Sequence, residues 1–107
     1  MPSQEIIMLV ALTAKKGKEE KLRELAAGLN RSTNSKDKGC VYYYFHQRVD
    51  NPREFIIYER WRDQAALEAH IARLNEIYGT PAPGELFPPA MLELIEKSEM
   101  SGLQIVE

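Results

Sequence analysis

Phe55-Ile-Ile-Tyr-Glu-Arg-Trp61 runs without a break into Arg62-Asp63 and then into a helical repeat of Ala66, Leu67, His70, Ile71, Leu74 and Tyr78. Bulky β-branched and aromatic side chains fit a pleated surface, so the first run reads as a strand. Apolar residues at spacings of three and four mark one face of a helix, so the second reads as residues 63–78 helical. Asp63 is a suitable N-cap, because its carboxylate can accept from the free N–H groups of the first turn. Upstream, Asp50-Asn51-Pro52-Arg53 is a strong turn signal. It joins a strand over residues 40–49 to the strand over residues 54–61. An antiparallel hairpin feeding directly into an amphipathic helix leaves few folds open. It also puts one imidazole, His70, on an apolar stripe, as either a hydrogen-bonded packing residue or a site.

The flanks complete the pattern. Ile6-Ile-Met-Leu-Val-Ala-Leu12 is a short apolar run and reads as a strand buried on both faces. Residues 18–31 read as a helix with Leu22, Leu25, Ala26 and Leu29 on one stripe, Glu19 and Glu20 near its positive end and Arg31 near its negative end. Residues 30–38, rich in Ser, Asn and Lys, read as a polar loop closed by Gly39. Prolines and glycines over residues 79–84 predict a loop. Pro88-Pro89 can open a short helix to about residue 97, since proline is tolerated in a first turn. Residues 102–107 read as a last strand. The order βαββαβ predicts an α+β, ferredoxin-like sandwich over a single domain, residues 1–107: a four-stranded antiparallel sheet with two helices on one face.

The strands are apolar on both sides, although helices cover only one. Pairing Val49 with Glu54 across the turn places Tyr42, Tyr44, His46, Arg48, Phe55, Ile57, Glu59 and Trp61 on one face. It places Val41, Tyr43, Phe45, Val49, Ile56 and Tyr58 on the other, the more uniformly apolar set and so the one expected under the helices. A large aromatic face is not normally left open to water. It is expected to meet a second subunit, line a cavity, or both.

Composition narrows the function class. With 107 residues and 44% hydrophobic content the chain can bury a core, and its net charge of −2 provides no basic footprint for nucleic acid or an anionic membrane. No apolar run approaches the roughly 20 residues that span a bilayer. One cysteine, Cys40, cannot pair internally, and nothing resembles a secretory leader, so a cytoplasmic protein is expected. Two histidines 24 residues apart match no metal-ligand spacing, and no glycine-rich phosphate loop is present. No cofactor is expected.

Gly39-Cys40 opening a Tyr-rich strand, then Asp50-x-Pro52, Phe55, Glu59-x-Trp61 and His70 nine residues beyond the Trp, resemble the antibiotic-biosynthesis-monooxygenase (ABM) domain. Gly17-Lys18-Glu19-x-x-Leu22-x-x-Leu25 resembles the start of that domain's first helix. The resemblance covers residues 6–75. It implies a dimeric α/β barrel of ferredoxin-like fold, with two sheets packed face to face. It also implies a family of cofactor-independent monooxygenases of quinols and aromatic polyketides, haem-degrading enzymes and an isomerase of a phosphorylated sugar. The haem-degrading branch uses a first-strand Asn with a Trp and a His on the second main helix. Here His70 stands on that helix, but the deciding Asn and Trp are missing: the first strand has no Asn, and the one Trp is Trp61 on a strand.

A cofactor-free monooxygenase binds a phenol or quinol, favours its anion and excludes water, leaving the substrate itself to reduce oxygen. A neutral imidazole suits that proton abstraction, which makes His70 the first catalytic candidate. Glu59 is the second, because a carboxylate facing an aromatic cavity has its pKa raised by desolvation. Tyr42, Tyr44 and Trp61 are suited to stack on a planar aromatic substrate. The plainer readings are a Glu59 paired with Arg48, Arg60 or a tyrosine, and aromatics that serve the core or the dimer interface. His46 reads as a surface residue and Cys40 as a small buried hydrophobe. The sequence therefore predicts a homodimer that oxidises a quinol-like or phenolic small molecule with oxygen, in a cavity between sheet and helices. The alternatives are an isomerase using His70 as a proton shuttle, or a non-catalytic ligand-binding or stress-related dimer. Arg48, the one arginine on the proposed cavity face, argues against a phosphorylated substrate.

Overall fold

In a computed structural model, which describes residues 4–107, the elements are β1 (Ile6–Ala14), α1 (Glu19–Lys36), β2 (Cys40–Arg48), β3 (Asn51–Trp61), α2 (Gln64–Tyr78), α3 (Pro89–Leu92) and β4 (Ile95–Leu103). The strands form one antiparallel sheet in the order β2-β3-β1-β4. This is the ferredoxin-like βαββαβ arrangement, and α1 and α2 lie on the same face of the sheet. Alternate residues point there: Val10 and Leu12 from β1, Tyr43 and Phe45 from β2, and Phe55, Ile57 and Trp61 from β3. They meet Leu22, Ala26 and Leu29 of α1 and Ala66 and Leu67 of α2 in one core. Asp63 caps α2 as expected, accepting from Ala66 N–H at 2.9 Å.

The hairpin register differs from the sequence expectation by one residue. Tyr43 lies opposite Glu59, Tyr44 opposite Tyr58 and Phe45 opposite Ile57. The turn falls at Val49–Asp50, and Asn51 and Pro52 already belong to β3. Pro52 is tolerated because it lies beyond the reach of β1, whose pairing with β3 begins at Glu54, opposite Thr13. A one-residue slip exchanges the faces of one strand relative to its partner: Tyr43 and Phe45 lie under the helices as expected, but Phe55, Ile57, Glu59 and Trp61 join them there, while Ile56 and Tyr58, expected under the helices, lie on the open face. Tyr43 therefore shares the helix-covered face with Glu59 and Trp61, while Tyr42 and Tyr44 share the open face with Ile56, Tyr58 and the exposed His46.

Two further elements depart from expectation. Helix α1 continues through the Ser/Asn-rich stretch to Lys36. Thr33 is fully buried, and Asn30 and Asn34 satisfy the outer edge of β2: Asn30 Oδ1 accepts from Phe45 N–H at 2.8 Å, and Asn34 donates to the Tyr43 carbonyl. At the other end, residues 95–103 form the last strand, so only Gly102 and Leu103 of the expected 102–107 strand belong to it, and α3 ends at Leu92. Strand β4 has no apolar alternation because only Ile95 is buried; backbone pairing with β1 holds it in place. Among the described residues, no helix is long and apolar enough to cross a membrane.

Candidate functional site

The side chains that open between sheet and helices come from four elements. Glu59 projects from β3 towards the helices and is only 6% exposed. Its neighbours across the sheet are Met8 on β1 and Tyr43 on β2. Trp61, two residues on and fully buried, donates its indole N–H to Glu59 Oε1 at 2.8 Å. Burial raises the carboxyl pKa of Glu59, and the Trp61 bond offsets only part of that effect.

His70 lies one turn and a half along α2 and is 4% exposed. Its ring centroid is 4.5 Å from that of Trp61 and 5.1 Å from that of Tyr43. Its Nδ1 is 2.6 Å from Asp37 Oδ2, and Asp37 is held in turn by a fork from Arg73, Nε to Oδ1 at 2.6 Å and Nη2 to Oδ2 at 3.0 Å. Burial lowers the imidazole pKa, and Asp37 restores part of the loss. Burial draws the Asp37 carboxyl upward, but the bonds from Arg73 and His70 outweigh it and hold the group below its ordinary value. Tyr43 is raised well above the usual phenol range, by burial and then by the charges of Glu59 and Asp37.

A cavity of about 280 Å³ lies over these groups. Ile57, Val10 and Met8 form its floor, Leu67 and Leu74 one wall, and Leu86, Phe87 and Met91 the other, while Met100 of β4 stands at its exposed side. Its ionisable lining groups are Tyr43, Glu59 and His70. Among the described residues, His70 Nε2, the second Glu59 oxygen and the Tyr43 hydroxyl have no hydrogen-bond partner, yet no fully enclosed side-chain nitrogen or oxygen lacks one. These three atoms therefore open onto free space, and the cavity is the space their side chains line. A neutral imidazole nitrogen, a carboxyl biased towards its protonated form and a phenol share a hydrocarbon chamber suited to taking a proton from a small hydroxylated molecule.

Of the residues singled out from sequence, His70 and Glu59 line this chamber together. Trp61 does not line it; packed in the wall, it orients Glu59. Tyr42 and Tyr44 lie on the opposite face of the sheet, where Tyr42 packs against Tyr44, Tyr58 and His46. The expected partners of Glu59 are engaged elsewhere: Arg48 pairs with Asp50 and Arg60 with Glu5. Three residues were missed. Tyr43 was hidden by the register slip, and Asp37 was hidden in what reads as a polar loop. Arg73 was within reach, since it sits three residues beyond His70 on the same helix face. Cys40 is half-buried, its thiol pushed up to about 11 by burial and by the charges of Asp37 and Glu59. A thiol raised in this way is almost wholly protonated, and so a poor nucleophile, at neutral pH. Among the described residues, no group of three His, Cys, Asp or Glu is placed to hold a metal ion.

The antibiotic biosynthesis monooxygenase profile matches residues 5–75, from β1 through most of α2. The chain belongs to the antibiotic biosynthesis monooxygenase family. The matched segment contains Asp37, Glu59, Trp61, His70 and Arg73, whereas the far wall of the cavity, from Pro81 to Met100, lies outside it. Solved structures share the fold along nearly the whole length. A Shewanella oneidensis protein is 27% identical, with 96% of this chain and 92% of that chain covered and a TM-score of 0.75. A Pseudomonas aeruginosa protein is 23% identical over 100% and 99% of the two chains, with a TM-score of 0.72. A Bacteroides thetaiotaomicron protein, provisionally named an antibiotic biosynthesis monooxygenase, is 14% identical over 97% and 90%, with a TM-score of 0.77. No functionally curated protein matches the chain.

Proposed function

We propose that this ABM protein is a cofactor-independent monooxygenase that oxidises a quinol-like or phenolic small molecule in the chamber between sheet and helices. The observation that carries the reading is the pairing of a His70 nitrogen and a Glu59 oxygen, each without a partner among the described residues, in a cavity whose other lining is apolar apart from Tyr43 and Asn75. His70 Nε2 accepts the phenolic proton. Loss of that proton enriches the ring in electrons, which lets the substrate itself reduce oxygen. Glu59, biased by burial towards its neutral form, donates a hydrogen bond to a second substrate oxygen. Leu67, Phe87 and Met91 keep water from the anion. Tyr43 takes the place at the chamber that Tyr42 and Tyr44 were expected to fill. The described lining contains no lysine or arginine, so a phosphorylated substrate has nothing to meet its charge.

A homodimer is part of the same proposal. Leu9, Tyr42, Tyr44, Ile56 and Tyr58 form a face with no helix on it, and a second sheet packed against it removes that surface from water. The lone thiol fits a reducing compartment, the cytoplasm.

The test is oxygen uptake by the metal-free protein with a panel of reduced quinones and polyhydroxylated aromatics, corrected for autoxidation. Protein-dependent uptake that falls about 100-fold or more in His70→Ala is expected. Uptake that survives the substitution, in a variant that folds normally, removes His70 from the chemistry. No uptake across the panel removes the reading.

A further inference from the structure

Asp37 occupies a position that helix energetics disfavour. It is the C-cap of α1 and its side chain is only 7% exposed, so a buried carboxylate faces the negative end of a helix dipole. Such a charge persists only with strong partners. The Arg73 fork supplies them, reaching both carboxylate oxygens while Nη2 also extends 3.5 Å to Thr33 Oγ1. That fork alone accounts for the charge. The third bond, to His70 Nδ1, has a different consequence.

Both Asp37 oxygens receive hydrogens from a guanidinium that does not titrate, so the carboxylate is ionised and can only accept. Nδ1 of His70 must then donate. The ring hydrogen is committed to that side, and Nε2, the atom with no protein partner, is left with its lone pair towards the cavity. We propose that Asp37, locked by Arg73, is the positioning residue of the site, holding His70 as the Nδ1–H tautomer with a bare Nε2 presented to the substrate. This deepens the monooxygenase reading and rests on it for the role of the bare nitrogen; the tautomer itself does not depend on turnover. The other ionisable groups around the ring are Tyr43 from β2, Glu59 from β3 and Arg73 from α2. None of them has a hydrogen bond to the imidazole.

The decisive experiment is long-range ¹H–¹⁵N NMR of the ¹⁵N-labelled full chain at pH 7.5, which reads the tautomer directly without substrate. The chain has two histidines, and a His46→Gln spectrum assigns the second ring. The expected result is a protonated Nδ1 and an unprotonated Nε2 on His70. An Nε2–H tautomer, or an equal mixture, overturns the assignment. Asp37→Asn sharpens the test. Arg73 has only donors, so the carboxamide oxygen stays with Arg73 and its NH₂ group turns to Nδ1, moving the ring hydrogen to Nε2. Turnover should fall about 100-fold or more, the contribution expected of a general base, and Asp37→Glu should restore part of it. A folded Asp37→Asn variant that keeps the Nδ1–H tautomer refutes the role. If that variant does not fold, the wild-type spectrum alone decides. An Nδ1–H ring in a protein that oxidises nothing upholds the positioning and removes the monooxygenase reading.

Discussion

Replacing Glu59 by glutamine should make the protein more stable at neutral pH, by an amount that depends on pH in a defined way. The carboxamide keeps the shape of the side chain, and its oxygen can still accept from Trp61 Nε1–H, which sits 2.8 Å from the present carboxylate oxygen. What disappears is the ability to ionise in a site that is 6% exposed. Burial holds the folded-state pKa above the ordinary 4.5. The contribution of the carboxyl group is therefore fully present below pH 4.5 and is lost as pH rises through the folded pKa. In that window the wild type loses up to about 1.4 kcal/mol per pH unit, one proton's worth, and above it the loss is constant. The two proteins should match near pH 3.5, diverge above 4.5 and then run parallel.

His70 acts with the opposite sign. Burial depresses its folded pKa below the ordinary 6.5, so its contribution is present above 6.5 and is lost as pH falls through the folded value. Asp37, held below 3.8, behaves likewise at the acid end. The Glu59 window runs upward in pH from 4.5 and the His70 window downward from 6.5, so wherever the two overlap their slopes oppose each other in the wild type. In Glu59→Gln only the upward slope of His70 remains. Urea unfolding at a fixed protomer concentration, followed by fluorescence of the single, fully buried Trp61, reads both curves between pH 3.5 and 8.5. A stability difference that is the same at pH 4 and pH 8 would refute the reasoning, because it would mean that Glu59 titrates as it does in the unfolded chain.

Gly39→Ala should cost more than about 2 kcal/mol: Gly39 has φ +84°, where an L side chain alone costs about 1–2 kcal/mol, and the new Cβ would lie 2.6 Å from Ala66 Cβ. Thermal unfolding checks it, and a loss under about 0.5 kcal/mol would mean that the turn moves freely. Asn30→Ala should cost about 1–3 kcal/mol by leaving the Phe45 amide unpaired at the sheet edge; hydrogen exchange at that amide should accelerate with it. Tyr58→Glu, on the open face opposite Tyr44, should convert a dimer to a monomer in light scattering at micromolar concentration, and a wild type that is monomeric there would refute the face-to-face packing.

The element order and the cap of α2 were legible because each rests on a local signal, such as Asp63 before a helical repeat. The register was not, because Asn51-Pro52 reads as a turn and is in fact the free end of β3. The sequence cannot reveal that β1 stops short of those residues, and this one piece of tertiary information moved Tyr43 into the site and Tyr42 and Tyr44 out of it. Glu59 and Trp61 were assigned to a common face correctly under either register, since residues two apart on one strand always share a side. Arg73 likewise shares a helix face with His70 by spacing alone.

The overlooked partner of His70 and the misjudged length of α1 have a single cause. Ser32, Thr33, Asn34 and Ser35 have poor helix propensity because their side chains compete for backbone hydrogen bonds, so ending the helix at residue 31 is the sound local inference. In the fold those competing groups are engaged. Asn30 and Asn34 bond to the edge of β2, Ser35 Oγ donates to the Arg31 carbonyl, and Thr33 is sealed in the interior. The helix therefore runs on for five residues, about 7.5 Å at 1.5 Å each, and delivers Asp37 beside α2. Ended at residue 31, it would leave Asp37 in a loop with no fixed relation to His70. The asparagines that close an exposed strand edge are thus the same residues that set the distance between the carboxylate and the imidazole. Weakening them should loosen the Asp37–His70 pair as well as the edge, although neither asparagine touches the site.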